Sequence, residues 1–152
     1  MATENEKEDL LLLDKQLCFP LYACARKIVA AYHPFLKEVG LTYTQYVTMM
    51  VIWEKKTVSV HDLGQRLYLD SGTLTPVLKK LEQFGYIERR RSAEDELVVL
   101  AILTEKGQKL KQKAASVPEE MGCHLAESGV VLTPKEVTAM KAELYKILEG
   151  LR

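Results

Sequence analysis

Residues 63–96 read LGQRLYLDSGTLTPVLKKLEQFGYIERRRSAEDE, and the order of signals in this stretch decides the fold. YLDSG supplies turn residues, and Asp70 or Ser71 can cap a helix that follows. In that helix, about 72–84, Leu74, Val77, Leu78, Leu81 and Phe84 recur at spacings of three and four, the period of one buried face. Gly85 then suits the left-handed position after a helix. Two extended segments come next, YIERRR (86–91) and LVVLAIL (97–103), joined by the polar SAEDE; this predicts a β-hairpin with a loop of about five residues. Upstream, Ser59 and Asp62 have the spacing of a capping box at the start of a short helix reaching about Leu67. Helix, turn, helix and basic hairpin is the order of a winged helix-turn-helix.

Outward from this centre the chain reads as helical. Thr42 and Gln45 form a second capping-box pattern before an apolar helix. Leu17, Leu21, Ala25, Ile28 and Tyr32 define a helix over about 15–39, with Pro20 in its first turns and Pro34 expected to bend or interrupt its far end. Thr104 starts another helix, for which Pro118 and Gly122 argue against continuity beyond 117. The TPKE run at 133–136 starts a last helix carrying Val137, Met140, Leu144, Ile147, Leu148 and Leu151. The expected fold is mainly α with a small β-hairpin wing (α+β). The divisions are an acidic tail (1–13), an N-terminal dimerisation and sensor helix (14–40), a winged helix-turn-helix DNA-binding domain (41–103) and C-terminal dimerisation helices (104–152). The terminal helices have apolar stripes with too little globular domain to bury against, so a two-fold homodimer is the economical solution.

Composition narrows the function classes. No apolar run reaches the ~18 residues needed to span a bilayer, and the acidic N-terminus is unlike an export signal. Three cysteines, Cys18, Cys24 and Cys123, are too few for a disulfide scaffold and fit a reducing, cytoplasmic setting. The formal net charge is zero, from 21 basic and 21 acidic residues, but the distribution is uneven. Residues 1–14 hold Glu4, Glu6, Glu8, Asp9 and Asp14 against Lys7, whereas 79–91 hold Lys79, Lys80, Arg89, Arg90 and Arg91 against Glu82 and Glu88. Local patches, more than the total, decide phosphate binding.

With its apolar stripe inward, the second helix leaves Thr73, Thr75, Pro76, Lys79, Lys80 and Gln83 on its other face. Hydroxyls and amides suit bases or phosphates, lysines suit phosphates, and an apolar edge suits thymine methyls. Ser71 and its neighbouring amides lie at the helix N-terminus, a natural phosphate site. Among Arg89, Arg90 and Arg91, at least one is expected to point toward the DNA backbone or minor groove. A protein-interaction scaffold of the same fold is the competing reading.

Cys18 presents the second problem, because an unpaired cysteine is either a buried core residue or a reactive thiol. Near a helix N-terminus the macrodipole favours the thiolate. Tyr22, four residues on, can lie beside it and donate a hydrogen bond. Tyr32 is roughly 21 Å further along a helix rising ~1.5 Å per residue, so it reaches the thiol only from another subunit. Cys24 is read as a packing residue, and no CxxC or HxxxH spacing suggests a metal. Neither a nucleophile elbow nor a phosphate loop accompanies the thiol, so no enzyme and no cofactor is expected.

The runs LTYTQYVTMMVIWE and LGQRLYLDSGTLTPVLKKLEQFGYIERRRSAEDE together resemble the MarR family of dimeric winged-helix repressors. With LCFPLYACARK (17–27) added, the chain resembles the organic-hydroperoxide-resistance regulators from about residue 12 to its end. The resemblance implies a repressor bound to a pseudo-palindromic DNA operator and released when organic hydroperoxide oxidises the N-terminal-helix cysteine, here Cys18. It implies that Tyr22, Tyr32 and Tyr43 belong to the sensing pocket. It also implies that Cys123 is a candidate resolving thiol, a low-molecular-weight thiol being the other partner for Cys18. The wing departs from the family pattern: where Asp-x-Arg is usual, this chain has Asp95-Glu96-Leu97. A MarR-type repressor gated by a small aromatic ligand, with Cys18 incidental, is the alternative.

Overall fold

The computed structural model describes residues 9–151; the charges at Glu4, Glu6, Lys7 and Glu8 of the acidic tail lie outside the described residues. Two compact units are formed, divided between Val117 and Pro118. After a single 3-10 turn at Leu13–Lys15, the first unit runs α1 (Cys18–Val39), α2 (Tyr43–Lys55), β1 (Thr57–Ser59), α3 (Val60–Leu67) and α4 (Ser71–Gln83). It continues through β2 (Ile87–Arg91), β3 (Val99–Leu103) and α5 (Glu105–Ala114).

The capping signals act largely as the sequence suggests. The Thr42 hydroxyl accepts from the Gln45 amide at 3.3 Å while the Gln45 side chain accepts from the Thr42 amide at 2.9 Å. Ser59 accepts from the Asp62 amide at 3.0 Å, but the reciprocal half of that box is not formed among the described residues. An aspartate is one methylene shorter than the glutamate that normally reaches back. At α4 the cap is Asp70, whose Oδ1 accepts from the Thr73 amide at 2.7 Å, and Ser71 becomes the first helical residue. Gly85 takes φ +78° after that helix.

Three expectations are corrected. Pro34 does not interrupt α1, which continues to Val39. The missing amide costs one hydrogen bond, but Leu36 and Val39 beyond it are buried in the core and hold the last turn in place. The hairpin loop spans residues 92–98, longer than SAEDE, because Leu97 and Val98 belong to the turn. A third strand, β1, is too short to show a period in sequence; it pairs antiparallel with β3, giving the order β1-β3-β2. Downstream, α5 ends at Ala114 and a new helix, α6 (Val117–Glu127), passes through both Pro118 and Gly122. Pro118 lies in its first turn, where no intrahelical amide partner is needed.

One core joins these pieces. Leu36, Met49, Ile52, Leu63, Leu74, Leu78, Leu81 and Ile87 are fully buried within it. α5 is tied to α2 by the buried Trp53 indole N–H, which donates to the Gly107 carbonyl at 2.8 Å. Gly107 also allows α5 to approach the Tyr86 carbonyl, leaving no space for a Cβ. The second unit holds most of α6 together with α7 (Pro134–Gly150), which opens on a full Thr133–Glu136 capping box. On α7, Met140, Leu144, Tyr145, Ile147 and Leu148 are all exposed. Gly107→Ala is expected to lower stability by about 1–3 kcal/mol through overpacking, read as a fall in the urea midpoint with little change in slope.

Candidate DNA interface and thiol site

α4 meets the core on one side only. Leu74, Leu78 and Leu81 are buried, Val77 and Phe84 half-buried, and Ser71, Thr73, Pro76, Lys79, Lys80 and Gln83 lie toward solvent. Thr75 is half-buried, and its hydroxyl is already committed to the Ser71 carbonyl at 2.6 Å. The Lys80 ammonium lies 5.1 Å from the centre of the Phe84 ring, which holds the side chain over the helix end. Asp70 keeps its carboxyl below the ordinary carboxylate range, chiefly because it accepts the Thr73 amide. That charge complements the positive end of α4.

The three wing arginines are not equivalent. Arg89 is half-buried and grips Glu82 of α4: its backbone amide donates at 2.9 Å, Nε at 2.9 Å and Nη2 at 2.8 Å. These bonds, led by the backbone one, hold the Glu82 carboxyl below its ordinary range. Arg90 pairs with Glu88 two residues back, at 2.7 and 2.8 Å. Arg91 Nη1 donates to the Glu96 carbonyl at 2.6 Å. At the wing tip Asp95 Oδ1 accepts the Leu97 amide at 2.9 Å, and Leu97 stands 89% exposed.

The residues predicted for sensing fall in two places. Cys18 is the first residue of α1 and is exposed, and no side chain caps that helix end. Tyr22 is 58% exposed; among the described residues no hydrogen bond joins it to Cys18, and the Arg26 guanidinium lies 4.8 Å over its ring. Tyr32 is near the other end of the helix and packs on Tyr43, with ring centres 5.1 Å apart. Tyr46, absent from the predicted set, completes this cluster at 6.1 Å from Tyr32. Burial pushes the Tyr32 and Tyr46 phenols above their ordinary value, so both remain O–H donors at neutral pH. The spacing of Tyr43 and Tyr46, three residues apart on one helix, is the signal in sequence that points to it. Cys24, expected to be packed, is exposed within the chain, as is Cys123. The reason for Cys24 is that the middle of α1 has few neighbours: Ala25, Ile28 and Val29 are exposed beside it.

The arrangement defines a winged helix-turn-helix protein with one polar helix face and a basic strand beside it. Residues 30–114 match the family described as transcriptional regulator SarA/Rot. The chain is 44% identical over 147 residues to the organic hydroperoxide resistance transcriptional regulator of Bacillus subtilis (strain 168), covering 97% of each. It is similar to the structure of reduced AbfR bound to DNA, with TM-score 0.78 and 31% identity over 97% of this chain and 99% of that one. The disulfide-formed AbfR structure aligns with TM-score 0.62 and 31% identity, over 96% and 99%. The chain belongs to the MarR-type winged-helix transcriptional regulators, and it resembles the organic hydroperoxide resistance branch over nearly its whole length. Among the described residues no helix is long and apolar enough to cross a membrane.

Glu82→Gln is expected to loosen the link between α4 and the wing strand at neutral pH. A carboxyl whose folded pKa is depressed contributes stability above its unfolded pKa, and loses it as pH falls through the folded value. The stability gap between wild type and variant should therefore close on acidification below the ordinary glutamate range, as followed by urea denaturation across a pH series.

Proposed function

We propose that the protein is a homodimeric, cytoplasmic repressor that binds a pseudo-palindromic operator and leaves it when an organic hydroperoxide oxidises Cys18. The observation that carries this reading is the exposed thiol at the first position of α1, in a chain so similar to a hydroperoxide resistance regulator. Exposed Leu17 and Phe19 flank the thiol and suit an alkyl or lipid peroxide better than hydrogen peroxide. The Cys18 thiolate attacks the peroxide oxygen; the O–O bond breaks, the alcohol leaves with a proton, and a sulfenic acid remains. A second thiol then displaces hydroxide, giving a disulfide and water. That thiol is Cys123 of the partner subunit or a low-molecular-weight thiol. The oxidation occurs once per protomer without turnover, so the protein acts as a sensor and not as an enzyme.

Dimerisation is supported by the exposed apolar residues of α1 and α7, including Ile28, Val29, Met140 and Leu144. Tyr32, Tyr43 and Tyr46 would then serve the partner's thiol, since Tyr32 is about 21 Å along α1 from its own Cys18. The exposed face of α4 would enter the major groove, with Thr73 and Pro76 toward base edges and Lys79 and Lys80 toward phosphates. Residues 14–40 and 104–152 would supply the dimer region, and 41–103 the DNA-binding domain.

One observation favours the ligand-gated alternative. A cavity of about 720 Å³ lies between the wing and the helices, lined by His61, Thr75, Leu78, Arg89 and Leu97 among others. A small aromatic ligand there would act without Cys18.

Two experiments separate these readings. Lys79→Ala should weaken binding to every duplex and flatten its salt dependence by about one unit. Under organic hydroperoxide, Cys18→Ser should abolish both release from DNA and any covalent dimer on a non-reducing gel. Cys123→Ser should remove only the dimer band, and Cys24→Ser neither. Peroxide-induced release that survives Cys18→Ser overturns the sensor reading in favour of the ligand-gated one.

A further inference from the structure

We propose that Arg91 alone among the three wing arginines is the DNA-facing cation, and that Arg89 and Arg90 serve the fold. The inference rests on the DNA-binding reading above and deepens it.

Strand geometry makes the first distinction. Side chains alternate along β2, so Ile87, Arg89 and Arg91 share one face while Glu88 and Arg90 share the other. Ile87 is buried and Arg89 bonds to Glu82, so the first face is turned toward α4. Arg91 is the outermost member of that row, opposite Val99 of β3 and exposed.

Charge separates the three more sharply. Arg89 is neutralised by Glu82 through three hydrogen bonds, one of them from its own amide, and moving the guanidinium onto DNA would break that link. Arg90 is neutralised by a two-pronged contact with Glu88 and lies on the face away from α4. Arg91 is held only by the Glu96 carbonyl among the described residues. A carbonyl orients a guanidinium without cancelling its charge, and most of the planar donor fork remains unused. The same bond fixes the side chain against the tip, so less rotamer freedom is lost on meeting a phosphate.

The tip itself gives a reason for this role. Glu94, Asp95 and Glu96 place acidic side chains there, and Asp95 is turned inward onto the Leu97 amide. Leu97, the tip residue at the place where an arginine is usual in the family, brings no charge. A wing approaching duplex phosphates therefore depends on Arg91 for its attraction.

The test uses the full chain and a duplex selected by the wild-type protein from a randomised library, titrated by fluorescence anisotropy over a series of salt concentrations. Arg91→Ala should weaken binding and make the plot of log K against log salt shallower by about 0.9 for each phosphate no longer neutralised, or about 1.8 for a dimer. Arg91→Lys should keep the slope. The charge-neutral pair Glu88→Ala with Arg90→Ala should keep it as well. A wild-type slope in Arg91→Ala, or a slope reduced in the Glu88/Arg90 double variant and kept in Arg91→Ala, overturns the assignment. Wild-type protein without salt-dependent binding to any duplex overturns the DNA-binding reading itself, which is a separate result.

Discussion

The structure depends on the complete removal from water of one leucine stripe, Leu74, Leu78 and Leu81, on a helix whose opposite side stays wet. Each such side chain contributes about 1.5–3 kcal/mol on burial. Rotating α4 by even a third of a turn would expose the stripe and bury Lys79 or Lys80 without a partner, a change no local bond offsets. The polar face of α4 is therefore set by what lies behind it. Asp70 fixes where the helix begins and Gly85 where the chain turns away. The remaining elements of the first unit supply the surface against which this stripe is buried, through α2, α3 and β2.

A second constraint is electrostatic, and it acts locally. The net charge is zero, yet the wing holds three consecutive arginines with three different fates. Alternation along β2 separates Arg90 from its neighbours, and Glu82 on α4 captures Arg89. The Glu82–Arg89 pair is partly exposed, at 35% and 27%, so solvent screens it and its value lies in orientation more than in net stability. It connects the end of the recognition helix to the start of the wing, so the two move as one piece.

The thiol and the phenols obey a different geometry. α1 is continuous through Pro34, which keeps Cys18 and Tyr32 far apart on one run of helix. Tyr32, Tyr43 and Tyr46 gather where α1 and α2 pack, with the Tyr32 and Tyr46 phenols desolvated and protonated. Cys18 and Tyr22 stay at the open end. A sensor that uses both ends requires a second chain, and the exposed apolar faces of α1 and α7 are what a second chain would cover.

The winged helix-turn-helix was legible in the sequence because its signals are local. Periodic leucines, the Asp70, Thr42 and Thr133 caps, and the glycine at 85 act over a few residues, and each formed where it was expected. The candidate DNA-facing side of α4 followed from the same period. Other features were not legible because they depend on groups far apart in the chain. The three-residue strand β1 exists through its pairing with β3, which lies beyond two helices and another strand. Pro34 is tolerated because Leu36 and Val39 are buried beyond it, and Tyr46 joins Tyr32 only when α1 packs on α2. The exposure of Cys24 likewise reflects how few neighbours the middle of α1 has, which no spacing within α1 reveals. Three adjacent arginines look identical in sequence; strand alternation separates Arg90, but only the position of Glu82 on a packed helix removes Arg89 and leaves Arg91 with its charge. Local periodicity determined which elements form, and tertiary packing decided which charges and rings meet, because burial and ion pairing depend on distance in space and not along the chain.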